Sequence, residues 1–182
     1  MRDLSLHVLD LAQNSITAGA TLVTVSIVID DNGWLTFTLA DDGKGMSPEL
    51  LQRVTSPFAT TRTTRKVGLG IPMMMDNAQR TGGDLHIDSE VGVGTTLIVT
   101  MDTRNIDCLP LGDIAGTMLS LMLTNPLAPE FRFEGKTPLG ECAFDTREVR
   151  AVLGDLPLNE PAIAAWLQDA LTEEINPIFG GV

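Results

Sequence analysis

Apolar positions recur every three or four residues over 4–18. Leu4, Val8, Leu11, Ala12 and Ser15 fall on one arc, which predicts an amphipathic helix ending at Gly19. The period then changes to two. LVTVSIVID (22–30) and WLTFTLADD (34–42) alternate apolar and polar residues and predict strands, with Asp31-Asn32-Gly33 turning one into the other. Ser47-Pro48 sets a capping hydroxyl before a first-turn proline and predicts a short helix over 48–54. Pro72 predicts the start of a further helix, which stops near Gly82-Gly83. LHIDSE (85–90) and TTLIVTM (95–101), joined by Val91-Gly92-Val93-Gly94, predict a second hairpin. This order implies a two-layer α/β (α+β) sandwich: a mixed or antiparallel sheet with helices on one face.

The pattern breaks over 103–112, where TRNIDCLPLG has no period. Two segments are therefore expected, a domain over 1–104 and a small α+β C-terminal extension over 105–182. In the extension the pattern predicts a helix over 113–124, strands near 130–134 and 140–144, and helices over 146–153 and 160–175. Gly154 is the expected stop of the first of these last two helices and Asn159 the expected cap of the second. Residues from Phe179 onward read as a frayed tail. Ile114, Met118, Leu121 and Met122 form one helical stripe, and Ile163, Trp166, Leu167, Ala170 and Leu171 another. Both are expected to pack into the extension's core; the alternative is that one docks a protein partner or a second copy of the chain.

Composition narrows the function classes. With 43% hydrophobic residues in 182, the chain can bury a sizeable core. No apolar run approaches the roughly 18 residues that span a bilayer, so no membrane association is expected. The N-terminus carries Asp3 and Asp10 and has no cleavage-site pattern, and the two cysteines, Cys108 and Cys142, read as buried free thiols. A cytoplasmic location is the expectation. The net charge of -12 disfavours nucleic acid as a partner. Charge is uneven: 1–104 holds eight basic and twelve acidic residues, 105–182 four basic and twelve acidic. Against this background TSPFATTRTTRKVGLGIPMMM (55–75) is a basic island with no acidic residue.

Three places carry candidate chemistry. On the first helix Asp3, His7, Asp10, Asn14 and Thr17 form a polar stripe. It is either a solvated face or a device that aims Asp10 and Asn14, one turn apart, at a shared cation or water. A hard cation such as Mg²⁺ takes oxygen ligands of this kind and keeps several waters. On the second strand, alternation puts Asp41 on the same face as Leu35, Phe37 and Leu39. An unpaired charge there costs several kcal/mol, so either the strand has ended in an ordinary Asp-Asp-Gly turn or Asp41 has a partner. In the island, Gly68-Leu69-Gly70 frees backbone N–H groups ahead of the Pro72 helix, whose N-terminus favours phosphate, and Arg62, Arg65 and Lys66 add cations. The island reads as a lid over a polyphosphate.

Together these residues resemble the GHKL ATPases: DNA gyrase, heat-shock chaperones, mismatch-repair ATPases and sensor histidine kinases. DLAQNSITAGA (10–20) resembles the N box, DDGKGM (41–46) the G1 box, SPFATTR (56–62) the F box, VGLGI (67–71) the G2 box and GVGTT (92–96) the last box. The resemblance implies a Bergerat fold holding ATP and Mg²⁺. It assigns Asn14 to the metal, Asp10 to the general-base position and Asp41 to the adenine amino group. Gly43, Gly45 and Met46 would lie beside the base. Phe58, Thr60, Thr61, Arg62 and Lys66 would belong to the lid, Gly68, Leu69 and Gly70 would approach the phosphates, and Thr95 would lie near the nucleotide. More loosely, 105–182 resemble the C-terminal extension of short ATP-binding proteins of anaerobic bacteria. Asp10 stands where hydrolysing members of the superfamily have Glu.

The expected activity is ATP-dependent phosphotransfer to a partner protein by a kinase module lacking the phosphoacceptor dimerisation helices. A slow ATPase acting as a conformational switch and a non-catalytic ATP-binding sensor module are the alternatives.

Overall fold

The computed structural model describes residues 2–55 and 70–180. Helix α1 (Leu4–Thr17) is capped by Asp3, whose carboxylate accepts from Leu6 N–H at 3.0 Å. Strands β1 (Leu22–Ile29) and β2 (Trp34–Asp41) form the first hairpin; Asp30 closes it by accepting from the N–H groups of Asn32 and Trp34. Helix α2 (Pro48–Thr55) and helix α3 (Gly70–Arg80) follow, then β3 (Leu85–Glu90) and β4 (Gly94–Asp102) as the second hairpin. The rest is α4 (Ile114–Thr124), β5 (Glu130–Thr137), β6 (Gly140–Asp145), α5 (Thr146–Leu153) and α6 (Pro161–Phe179).

All six strands make one mixed sheet in the order β3-β4-β2-β1-β5-β6. β5 runs parallel to β1 with Val23 opposite Phe131; the other pairs are antiparallel. Alternation decides the faces. Val23, Val25, Ile27, Leu35, Phe37, Val99, Phe131 and Phe133 point into the core, all at most 1% exposed, each worth roughly 1.5–3 kcal/mol on burial. Thr24, Ser26, Thr36, Thr38 and Thr96 point the other way and stay partly exposed. The helices cover the apolar face. α4 packs on α1 and α6, so Met118, Leu121 and Met122 join the same buried cluster as Leu4 and Val8. The aperiodic 103–112 segment is tied in as well: Leu4 N–H donates to the carbonyl of Pro110 and Ser5 N–H to that of Leu111, both at 2.9 Å. No helix among the described residues is long and apolar enough to cross a membrane.

Several boundaries differ from expectation. α3 includes Gly70 and Ile71, so Pro72 sits in the first turn rather than at the start; its missing N–H costs nothing there because first-turn N–H groups have no intrahelical partner. β5 extends to Thr137. The cap of α6 is Glu160, which makes no side-chain capping bond, rather than Asn159, and Pro161 takes the first position. The helix also continues through Pro177 to Phe179. Phe179 is no frayed tail: it is 8% exposed and its ring meets Phe133 edge-on at 6.3 Å, while Thr137 Oγ1 donates to the Ile178 carbonyl at 2.8 Å.

Candidate functional site

A cleft of about 220 Å³ opens between α1, the sheet and the turn after β2. Leu11, Asn14, Ser15 and Thr17 line it from α1 and Ala18 from its C-cap, Leu39 and Asp41 from β2, Ile87 from β3, and Thr95 and Leu97 from β4. Lys44, Gly45 and Met46 line it from the turn, Leu50 and Val54 from α2, and Ile71 from α3.

Asp41 has the partner that its position demands. Ser15 Oγ donates to Oδ2 at 2.5 Å and Gly43 N–H to Oδ1 at 2.9 Å. An ionised carboxylate has about four acceptor sites, so capacity remains for a donor arriving from the cleft. Ser15 itself is 3% exposed. The neighbouring Asp42 does a different job. Its carboxylate accepts from the N–H groups of Thr21 at 2.7 Å and Leu22 at 2.9 Å and from the Thr21 hydroxyl. Burial alone would raise its pKa, but these hydrogen bonds hold it below the ordinary aspartate value. One aspartate of the pair thus faces the cleft and the other anchors the start of β1.

The turn between them is packed against its own chain. Gly45 has φ +66°, and a Cβ there would stand 1.9 Å from the Glu90 carbonyl oxygen. A Cβ on Gly43 would meet Asp41 Oδ1 at 2.9 Å and the Ala18 Cβ at 3.0 Å. Gly45 is required by contacts within the protein before any ligand enters, and a larger residue at Gly43 would push on the Asp41 carboxylate. Lys44 N–H donates to the Ala18 carbonyl at 3.0 Å, and Gly92 N–H to the Lys44 carbonyl at 2.9 Å. Ser89 Oγ accepts from Met46 N–H at 2.8 Å and lies 2.8 Å from Thr95 Oγ1. The turn is therefore held in place by Ala18, Ser89 and Gly92.

Of the residues singled out by sequence, Asn14, Asp41, Gly45, Met46 and Thr95 line this one cleft, and Gly43 lies behind Asp41. Asp10 and Gly70 meet one another beside it: a Cβ on Gly70 would stand 2.1 Å from Asp10 Oδ2. Phe58, Thr60, Thr61, Arg62, Lys66, Gly68 and Leu69, with Arg65, lie outside the described residues. The polar stripe of α1 is not a uniform solvated face. His7 is completely buried and its Nε2 lies 3.1 Å from Asn77 Nδ2, joining α1 to α3. Burial lowers its pKa, outweighing the nearby Asp10 and Asp3, which act to raise it. His86 is exposed and pairs with Asp88 at 3.1 Å. The thiols of Cys108 and Cys142 are free, half-buried and pushed up in pKa by burial.

Sequence reasoning missed Ser15, Lys44 and the apolar walls. Ser15 had a usable signal. It shares the core-facing arc of α1, and Asp41 shares the core face of β2, so the two were bound to approach. Among the described residues no group of three or more His, Cys, Asp or Glu side chains is arranged to hold a metal. The oxygen donors present suit a small hard cation that arrives with a ligand supplying most of its coordination.

A helix-backed mixed sheet with an aspartate at the floor of an apolar cleft defines a two-layer α/β sandwich with a ligand-sized cavity. The family model for histidine kinase-, DNA gyrase B- and HSP90-like ATPases matches residues 2–105, and the chain belongs to that family. It is 36% identical over 106 residues to the histidine protein kinase DivJ of Caulobacter vibrioides, a match covering 55% of this chain and 18% of DivJ. It is 33% identical over 105 residues to the sensor protein EvgS of Escherichia coli O157:H7, covering 55% of this chain and 9% of EvgS. The chain thus spans less than a fifth of the length of these curated relatives. Among solved structures, the N-terminal domain of a DNA repair protein superposes with a TM-score of 0.53 at 16% identity, over 80% of this chain and 52% of that one, which shows a shared fold.

Proposed function

We propose that this chain binds Mg-ATP in the cleft and transfers the γ-phosphoryl group to a partner protein. One observation carries the binding half: Asp41, held by Ser15 and Gly43, faces the same cavity as Asn14. Asp41 would accept from the adenine amino group. Leu39, Met46, Ile87 and Leu97 would sandwich the base and exclude water, which strengthens that hydrogen bond. Asn14, exposed at the cleft's α1 wall, offers its amide oxygen to Mg²⁺. The cation would neutralise phosphate charge in a reaction that depends mostly on positioning and electrostatics. Lys44 adds a positive charge at the rim.

Asp10 lies one turn before Asn14 and against the first residue of α3. From there it would orient or deprotonate the acceptor group. The histidine-kinase relatives support phosphotransfer over the two alternative readings, a slow ATPase switch and a binding module without turnover. ATP labelled on the γ-phosphate, with Mg²⁺ and with or without a cell extract, separates the three. Label moving to another protein is the expected result. Release of free phosphate alone would favour the switch, and bound but unchanged ATP the binding module.

A further inference from the structure

A second cleft, of about 540 Å³, lies at the far edge of the sheet, three strands from β2. At about 4.8 Å per strand that is roughly 14 Å from the nucleotide cleft. Phe144 of β6, Val149, Val152 and Leu153 of α5 and Trp166 of α6 supply its apolar lining, with Glu148 on the wall. Val152 is 85% exposed and Trp166 52% exposed. Together they leave apolar surface open to solvent at the mouth of the cleft, the kind of surface that a partner covers when the apolar patch is contiguous.

Two further observations specify the occupant. First, β6 is an edge strand. It pairs only with β5, and no other backbone group among the described residues bonds to it. Its outer row of N–H and C=O groups is a template for one more strand. Phe144, on this strand, faces the cleft. Second, the surrounding charge is one-sided. Every basic residue of 105–182 already has an ion-pair partner: Arg132 with Glu134, Lys136 with Glu141, Arg147 with Asp145 and Arg150 with Glu130. Glu148 on the cleft wall has no such partner among the described residues.

We infer that this cleft docks an extended segment of another protein that adds to β6 as a seventh strand and carries, at its cleft-facing alternate positions, apolar residues and one Lys or Arg. Main-chain hydrogen bonds to the edge would give affinity. The apolar side chains would enter between Val152 and Trp166, and the basic one, on the same side of the added strand, would meet Glu148. A second copy of this chain is the wrong occupant, because every basic residue of its 105–182 segment is already ion-paired and its β6 brings no free cation to Glu148. The inference concerns a different site from the nucleotide cleft and stands whether or not a phosphoryl group moves.

The test uses the full chain and fluorescein-labelled peptides of about eight residues. Their odd positions carry Val, Ile or Phe and one Lys or Arg, their even positions Ser or Thr, and matched peptides carry Glu in place of the basic residue. The basic set should bind saturably, weaken with salt, and slow hydrogen exchange at the amides of 140–145. Trp166→Ala and Glu148→Lys should each weaken binding by roughly tenfold, and both variants should keep the parent's circular dichroism spectrum because neither side chain belongs to the buried core. Absence of saturable binding would overturn the proposal, as would equal binding of the acidic set. Binding of a basic amphipathic helix without protection of β6 would overturn it too. So would sedimentation showing a dimer that Val152→Ser disperses.

Discussion

Replacing Asp41 with Asn changes one atom and reverses one dipole. In the parent both carboxylate oxygens are engaged, Oδ2 by the Ser15 hydroxyl at 2.5 Å and Oδ1 by Gly43 N–H at 2.9 Å. In the variant the amide oxygen keeps the Gly43 bond. The NH₂ group takes the place of Oδ2, where the Ser15 hydroxyl can turn to accept from it. Folding is thus little disturbed. The adenine amino group, however, now faces a donor. A hydrogen bond to a charged acceptor contributes about 1.5–3 kcal/mol, so ATP affinity should fall about 10- to 150-fold. Inosine triphosphate, with an oxygen where adenine has its amino group, should bind the variant better than ATP does. Ser15→Ala removes only one of the two supports and should cost about 1 kcal/mol, roughly fivefold. Isothermal titration with a non-hydrolysable analogue reads all three. If a folded Asp41→Asn variant bound ATP within twofold of the parent, the base would not sit on Asp41 and the site's orientation would be wrong.

Asp10→Asn should leave ATP affinity within about twofold while removing turnover, measured by titration and by the γ-label; full turnover would remove Asp10 from the chemistry. Gly45→Ala combines a left-handed φ with a clash against the Glu90 carbonyl and should cost about 3 kcal/mol or more, a fall of about 6–12 °C in melting temperature for a chain this size. Gly92→Ala, with φ +80° and nothing within 4 Å, should cost only about 1 kcal/mol; equal losses in the two variants would mean that the Glu90 contact is unimportant. Buried His7 has a lowered pKa, so the unfolded chain binds its proton first as pH falls. Its contribution is complete above the unfolded value of 6.5 and is lost as pH drops through the folded one. Urea unfolding should therefore weaken between pH 7 and 5.5 in the parent and change less in His7→Gln. A parent curve flat over that interval would count against the buried neutral imidazole.

What could be read in the sequence depended on how local the determining interactions were. Both hairpins announced themselves through alternation and Asp-Asn-Gly or Gly-rich turns, and alternation alone placed Asp41 facing inward. The burial of His7 was not legible: the stripe rule treats every polar position alike, and only the docking of α3, through Asn77, removes this one from water. The reach of α6 past Pro177 was also hidden. Proline in the last turn is a stop signal unless distant contacts outweigh it, and here Phe133 and Thr137 hold Phe179 and Ile178 in place. The lengthening of the first sheet by β5 and β6 could not be read at all. A parallel pairing across a hundred residues leaves no mark in either strand's own pattern.

That parallel pairing decides where this chain can be cut. The family match ends at residue 105, and a fragment trimmed to it would strip Phe131 and Phe133 from the side of β1. A strand carrying Val23, Val25 and Ile27 would then become a bare, sticky border. α1, which carries Asn14, would also lose the carbonyls of Pro110 and Leu111 that satisfy its first amides. Such a fragment should express as aggregate, whereas the whole chain should melt in a single calorimetric peak.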